Sequence, residues 1–221
     1  MFSPSSRRTV AVLAAAVAVL AASGVSSASG TPGASGASGA SAEGHGTPSY
    51  ASVTGHADFV LPYHQDEDVR SFSFDAVAAP YSRPLPGIPT DLPTDARGTV
   101  RISHYSAARD VTYTAEGRVD CLVTGPRSAT LTAVITKVGP GGPLDIGRRL
   151  GFSVYDGGKD GKNRSGDRVG FSWNGVNLLP GGAAAPEEAP VGTCMAPAPY
   201  APVTKGGYTV VHAELPAPAQ P

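Results

Sequence analysis

The chain has 221 residues with 28 Gly and 21 Pro, only 16% of them are charged, and the formal net charge is -1. Because Lys and Arg are few and not clustered, the composition excludes the basic surface on which nucleic-acid binding depends. Much of the Gly and Pro lies near the two ends, so roughly 150 residues remain for one ordinary domain with a single core.

Residues 1–28 have the pattern of an export signal. Arg7 and Arg8 form a basic start, Val10 to Ala22 is apolar, and Ser26-Ser27-Ala28 provides small residues for cleavage. Thirteen apolar residues are too few to span a bilayer. The sequence therefore predicts a secreted, extracellular protein without stable membrane insertion after cleavage. The paired arginines fit both the general secretory and the twin-arginine route.

Residues 29–55 are rich in Gly, Ala and Ser and repeat the triplet GAS. Such a segment buries too little apolar surface to offset its chain entropy. We expect a disordered linker between the leader and the folded domain.

From residue 56 to 215 the pattern is that of a β-domain. Apolar residues recur at every second position, which is the period of half-buried strands, and Gly and Pro separate the segments. Seven segments show this pattern, at 68–77, 98–106, 111–123, 129–139, 150–154, 169–173 and 208–214. The prediction is an all-β fold, a single antiparallel β-sandwich or partly closed β-barrel of seven to eight strands.

The longest predicted strand is Val111 to Val123. Its odd positions carry no charge and its even positions are polar, so the alternation places Cys121 on the apolar face. Later in the chain, Gly151 and Gly170 lie in the similar segments LGFSVYDGG and VGFSWNG, which we interpret as the arms of a hairpin. Glycine inside a strand indicates a bulge or a place where another part of the protein crosses the backbone. Trp173 is predicted to be a core aromatic residue.

Cys121 and Cys194 are the two cysteines of the chain. An even pair in an exported protein predicts a disulfide, and closing so long a loop stabilises by about 4 kcal/mol on the chain-entropy model. We expect it to hold the Ala/Pro-rich loop 180–203 against the central strand. A Pro-rich tail, 216–221, follows the domain.

The loop between the two hairpin arms is rich in Asp and Gly. Its hard oxygen ligands suit calcium, and the candidates are Asp156, Asp160, Asn163 and Asp167. Gly158 stands where a calcium loop has an acidic ligand, and Lys162 and Arg164 add positive charge. The alternative is a solvated turn without metal.

Other polar residues suggest chemistry only weakly. The acidic residues Asp66, Glu67 and Asp68 lie near His56 and His64, at a spacing that matches no known metal motif. His104 follows the apolar face of its strand, and His212 is placed in the last strand. The two could pair if their strands were neighbours, but a hydrogen-bonded structural role is the commoner outcome.

Motifs of nucleophilic catalysis and phosphate binding are missing from the sequence. Glu187 and Glu188 lie in a Pro/Ala-rich segment predicted to be too flexible to hold a catalytic carboxylate pair. We therefore do not expect an enzyme, and no cofactor is predicted apart from calcium.

Several motifs resemble those of a known group. GTVRISHY, EGRVDCLVTG, GFSVYD and FSW, followed by a distant Cys, are similar to exported actinobacterial proteins labelled repetin, over about Val69 to Val211. The resemblance implies a secreted β-domain and no activity. The pattern around Cys121 is also similar to small β-domains of bacterial surface proteins.

The function expected from the sequence is that of a non-catalytic extracellular or cell-wall-associated binding or structural module. It would act as a monomer on an extracellular glycan or protein. The alternative is a secreted metal-dependent hydrolase or a calcium-binding module built on the β-scaffold, with His104 and His212 as its candidate catalytic parts.

Overall fold

The computed structural model describes residues 50–88, 91–160, 164–181 and 186–218, with only the backbone at 159, 160, 164 and 165. The predicted export signal and all but the last residues of the predicted linker lie outside this range, as does the end of the Pro-rich tail.

The described residues form strands joined by turns and loops. The strands are β1 (Ser52–Phe59), β2 (Val69–Ala78), β3 (Ala96–Ser106), β4 (Val111–Gly125), β5 (Ser128–Val138), β6 (Arg149–Tyr155), β7 (Lys159–Asp160), β8 (Arg164–Ser165), β9 (Arg168–Phe171) and β10 (Ala201–Val211). Among these residues no helix has the length and apolarity needed to cross a bilayer.

Eight of the strands close into one antiparallel barrel, in the order β1-β10-β9-β6-β5-β4-β3-β2, with β2 paired back to β1. β7 and β8 form a separate two-stranded ribbon in the connection between β6 and β9. The predicted all-β antiparallel fold is confirmed, and of the two architectures left open the structure has the barrel. Neighbours in sequence are neighbours in the barrel, as short turns between antiparallel strands require.

Aromatic side chains fill the interior of the barrel. Phe72 lies at their centre, with its ring 4.6 Å from that of Phe59, 5.4 Å from Phe152 and 5.5 Å from Phe171. Tilted and edge-to-face pairs of this kind add to the free energy of burying the rings. Val100, Leu131 and other aliphatic residues from the remaining strands complete the core.

Two β-bulges change which residues face outward. In β4, Val119 pairs with Ala133 but Cys121 pairs with Thr132, so Asp120 is an extra residue. Leu122 consequently joins the core and Cys121 lies on the outer face of the barrel. The prediction of one continuous apolar face through Cys121 and Val123 is therefore wrong after Val119.

The second bulge lies in β5. Gly117 pairs with Ile135 and Glu116 with Lys137, which leaves Thr136 as the extra residue. Because the alternation is shifted by one, Lys137 stays on the outer face and Val138 packs against the core.

One strand was not predicted, and another begins earlier than predicted. β1 begins at Ser52, inside the segment assigned to the linker, because Val53, Ala57 and Phe59 supply the core-facing positions among small residues. β10 begins at Ala201, inside the predicted Ala/Pro-rich loop, and ends at Val211, so His212 lies just past the strand. Local composition concealed both segments, which are held by pairing with each other.

The predicted disulfide between Cys121 and Cys194 is present, with the two Cα atoms 5.4 Å apart. It fixes the strap, which we define as residues 194–200, to the outside of the barrel. The side chain of Ser153 donates a hydrogen bond to the carbonyl of Pro197 at 2.5 Å. This attachment is the role predicted for the disulfide.

The strap explains the two glycines of the hairpin. A Cβ at Gly151 would lie 1.9 Å from the carbonyl oxygen of Met195, and one at Gly170 would lie 2.5 Å from that of Ala198. The pairing of β6 with β5 and β9 has no register shift here. Close approach by the strap backbone, rather than a bulge, is therefore the reason for glycine.

A buried ion pair lies beneath the disulfide. Asp120 is almost completely buried and accepts hydrogen bonds from Thr132 Oγ1 at 2.6 Å and from Arg149 Nε at 2.9 Å. The amide of Cys194 donates to the same Thr132 hydroxyl at 3.3 Å. Since a buried carboxylate must be paired, the extra residue of the β4 bulge is part of the attachment of the strap.

Candidate functional site

A depression with an aromatic lining lies at the mouth, the end of the barrel where β1 ends at Phe59 and β10 begins at Ala201. Two clefts of about 410 Å³ and about 250 Å³ open there. Five residues border both of them: Ile102, His104, Pro143, Trp173 and Asn174. The two clefts therefore form one site, divided by the indole of Trp173.

The floor of the larger cleft is aromatic. Phe59, Phe72 and Phe171 contribute their upper edges to it, and Tyr63 forms part of its wall. Trp173 packs on these rings, 4.5 Å from Phe171 and 5.6 Å from Phe72 between ring centres. It is half-buried, because one side contacts the core and the other borders the clefts. This residue is therefore part of the aromatic core and also part of the lining of both clefts.

His104 and Asp68 form a hydrogen-bonded pair at the rim. His104 Nε2 lies 2.7 Å from Asp68 Oδ2, and Asp68 Oδ1 accepts the amide hydrogen of Ala107 at 2.9 Å. The bond to His104, followed by that to Ala107, lowers the pKa of Asp68. The strand register brings the two together, since Arg70 of β2 pairs with His104 of β3.

The rest of the acidic cluster supports this pair. Asp66 forms a two-pronged ion pair with Arg70, at 2.8 and 2.5 Å, which holds the pKa of Asp66 at about 2. His64 lies 3.2 Å from the same carboxylate. The segment before β2 thus carries a network of ion pairs at the rim of the site.

A second charged pair, Arg148 and Glu188, borders the smaller cleft. Glu188 also accepts the amide hydrogen of Asn174 at 2.8 Å. The sequence predicts a flexible segment around Glu188, but the amide of Leu179 donates to the carbonyl of Glu187 at 2.8 Å and fixes it. The pairing of Leu179 with Glu187 is local, and no motif in the sequence indicates it.

The two candidate catalytic histidines lie far apart. His212 is at the opposite end of the barrel, where its ring contacts Thr124 Oγ1 and Glu214 Oε1, each at 3.1 Å. Of these two histidines, His104 is the one that faces a mouth cleft beside a carboxylate. Among the described residues its sole side-chain hydrogen bond is to Asp68, and neither a Ser, Thr nor Cys nucleophile is bonded to it.

The candidate calcium loop joins the barrel seam instead of projecting freely. Asp167 is buried and accepts the amides of Gly157 at 2.9 Å and Tyr208 at 2.7 Å. Asp156 accepts the amides of Gly158 at 2.9 Å and Val210 at 3.2 Å. The side chain of Asp160 and the whole of Asn163 lie outside the described residues, so the calcium site stays a prediction.

Within the part of the chain that the structure describes, no three His, Cys, Asp or Glu side chains are grouped as metal ligands. His56 and His64 do not come together either, since His56 bonds to Ser73 Oγ at 2.8 Å on the outer face.

The sequence indicates His104 as a candidate but not its pairing with Asp68. It gives no role to Arg148 and places Glu188 in a segment predicted to be flexible. The chemistry that the mouth offers is that of a binding site, an aromatic surface surrounded by fixed hydrogen-bonding groups, with one histidine–carboxylate pair capable of proton transfer. The chain matches no protein-family model, no curated protein and no solved structure, so this geometry is the guide to function.

Proposed function

We propose that the protein is an exported, non-catalytic binding domain whose barrel mouth takes a glycan at the cell surface. One observation carries the proposal: Trp173 lies over an aromatic floor, between two clefts whose rims carry hydrogen-bonded charged pairs.

The chemistry of the mouth matches that of a sugar ring. A pyranose has an apolar face of C–H groups, which packs on an indole, and hydroxyls at its edge that need hydrogen-bond partners. Asp68, His104 and Glu188 supply acceptors and donors around the Trp173 surface. Their ion pairs fix the side chains before a ligand arrives, which lowers the entropy cost of binding.

The proposed location at the cell surface rests on features outside the mouth. The leader predicted at residues 1–28 supports export, and a disulfide suits an oxidising compartment. The resemblance to exported actinobacterial proteins supports association with the cell wall.

The single tryptophan provides a direct test, because its fluorescence reports only on the mouth. Chitotetraose, cellotetraose and a galacturonic acid trisaccharide would be titrated into the purified protein, with fluorescence and calorimetry as readouts. At least one should change the emission of Trp173 and bind with micromolar to millimolar affinity.

The Trp173→Ala variant should lose that binding at least ten-fold by calorimetry. Leu215→Ala is the matched control, since Leu215 is an exposed apolar residue that does not border the clefts. No binding by any of the three glycans, or equal affinity for Trp173→Ala and the unmodified protein, would contradict the proposal.

The His104–Asp68 pair favours a second function, that of a secreted hydrolase using His104 as general base. On this alternative the same oligosaccharides would be cleaved, with products visible by mass spectrometry. His104→Ala would abolish cleavage but leave binding within a few-fold. Binding without cleavage over days would remove this alternative.

A further inference from the structure

A second depression lies on the outer wall of the barrel, over β2, β3 and β4. It has a volume of about 300 Å³, at the lower end of the range of small-molecule sites. Eight of its eleven lining residues have polar side chains, and none has an aromatic ring other than His56. We call it the outer groove.

The floor of the outer groove is a row of hydroxyls. Ser71 pairs with Ser103 across β2 and β3, and Ser103 pairs with Thr114 across β3 and β4. Three adjacent strands therefore place three hydroxyls about 10 Å from end to end. Their small size creates the depression between the larger side chains of the next row.

Ser71 has an unusual environment for a residue on the outer face. It is only 8% exposed, yet its hydroxyl bonds to no other described residue. A nearly buried hydroxyl without a partner is unfavourable unless a water or ligand satisfies it. The open side of this hydroxyl is the outer groove.

Charged residues form the wall. Arg101 and Glu116 face each other across β3 and β4, with Arg101 Nε 3.2 Å from Glu116 Oε2. The bulge at Thr136 places Lys137 beside Glu116, and Lys137 forms no ion pair with the described residues. With His56 neutral, the wall carries one excess positive charge.

We propose that the outer groove binds an acidic saccharide, with the sugar hydroxyls on the Ser71, Ser103 and Thr114 row and its carboxylate beside Lys137 and Arg101. A hydroxyl floor and a nearby unpaired ammonium together match a hexuronic acid, whereas a neutral sugar would leave the ammonium without a partner. The proposal can be tested apart from the mouth, because Lys137, Arg101 and Ser71 line the outer groove and neither mouth cleft, whereas Ser103 and Thr114 each also border one of those clefts.

Isothermal titration of the full mature chain with a galacturonic acid trisaccharide tests the proposal. The matched ligand is the methyl ester of the same trisaccharide, which keeps the hydroxyls and lacks the charge. The acid should bind at least ten-fold more tightly than the ester, and 0.3 M salt should lower the affinity for the acid.

Variants place the binding on the outer groove. Lys137→Gln should weaken binding of the acid about ten-fold or more, and Ser71→Ala should weaken binding of both ligands through loss of one hydroxyl, since Ser71 lines the outer groove and neither mouth cleft. Arg118→Gln is the matched control, because Arg118 is an exposed cation on the outer face of β4 that does not line the groove.

The outcome distinguishes the two sites. If Trp173→Ala still binds the acid and Lys137→Gln does not, the acid binds in the outer groove. If Trp173→Ala no longer binds the acid and Lys137→Gln still does, the acid binds in the mouth. This result would overturn the proposal for the outer groove and leave the proposed glycan function intact. Equal affinity for acid and ester, or equal losses in Lys137→Gln and Arg118→Gln, would also overturn it.

Discussion

The amide of Tyr208 donates a hydrogen bond to Asp167 Oδ2 at 2.7 Å, beside the barrel junction where β9 and β10 share only two residue pairs. The Asp167 carboxylate thus accepts a backbone hydrogen bond that the carbonyl of a paired strand would otherwise accept. Asp156 does the same for the amide of Val210.

The Asp167→Ala variant should therefore lower the free energy of unfolding by about 2 to 4 kcal/mol, because it leaves the buried amide of Tyr208 and the partly buried amide of Gly157 unsatisfied. Thermal unfolding would measure the change, which corresponds to roughly 5 to 15 °C at this size. Asp145→Ala is the control, since Asp145 is exposed and its carboxylate bonds to no described residue. Equal midpoints for the two variants would refute the structural role of Asp167.

The same bonds lead to an expectation about calcium. All four carboxylate oxygens of Asp156 and Asp167 already accept amide hydrogens. We expect the thermal midpoint to be the same in millimolar calcium and in excess chelator. A rise on the order of 10 °C with calcium would instead establish the metal site predicted from the sequence.

Removal of the disulfide should affect stability strongly. The double variant Cys121→Ala with Cys194→Ala should lose about 4 kcal/mol, because the unfolded chain regains the entropy of a long open loop. The measurement is chemical denaturation of the variant beside the oxidised protein. Alkylation of both cysteines without reductant in the secreted protein would show that the bond does not form.

Acid should weaken the rim of the mouth within a defined range. The ion pair with Arg70 holds the pKa of Asp66 at about 2, below its ordinary value of 3.8. A carboxylate with a depressed pKa stabilises the folded state above the higher value, and this contribution is lost as the pH falls toward the lower one. Asp66→Asn should thus be less stable than the unmodified protein at pH 6.

The difference between Asp66→Asn and the unmodified protein should shrink as the pH falls from about 4 to about 2, as followed by thermal unfolding. Glu67→Gln provides the comparison, because Glu67 is the exposed neighbour and has no ion pair among the described residues. A constant difference across this range would contradict the assigned role of Asp66.

The alternation of apolar residues was enough to predict the strands whose period is regular. Phe72, Leu131 and Phe152 lie at apolar positions of the predicted segments 68–77, 129–139 and 150–154 and belong to the core, and the class of fold followed from this alternation. A bulge breaks this reasoning because one extra residue reverses every later side chain, as at Asp120, and no residue type announces it.

The candidate site was less predictable for a related reason. Asp68 and His104 are 36 positions apart, and only the register of β2 with β3 brings them together. Glu188 needed the local pairing around Leu179, in a segment whose composition is typical of a flexible linker. In both cases the pairing of backbone segments, and not the preference of the residue for a local conformation, determined the position.

The strap gives the barrel one wall of double thickness. Where Gly151 and Gly170 lie beneath the backbone of residues 195–198, two layers of chain separate the core from water. The wall of β2, β3 and β4 has a single layer, open at the outer groove. Amide hydrogens of β6 should accordingly exchange with deuterium more slowly than those of β3, so that the molecule opens first on the side that carries the outer groove.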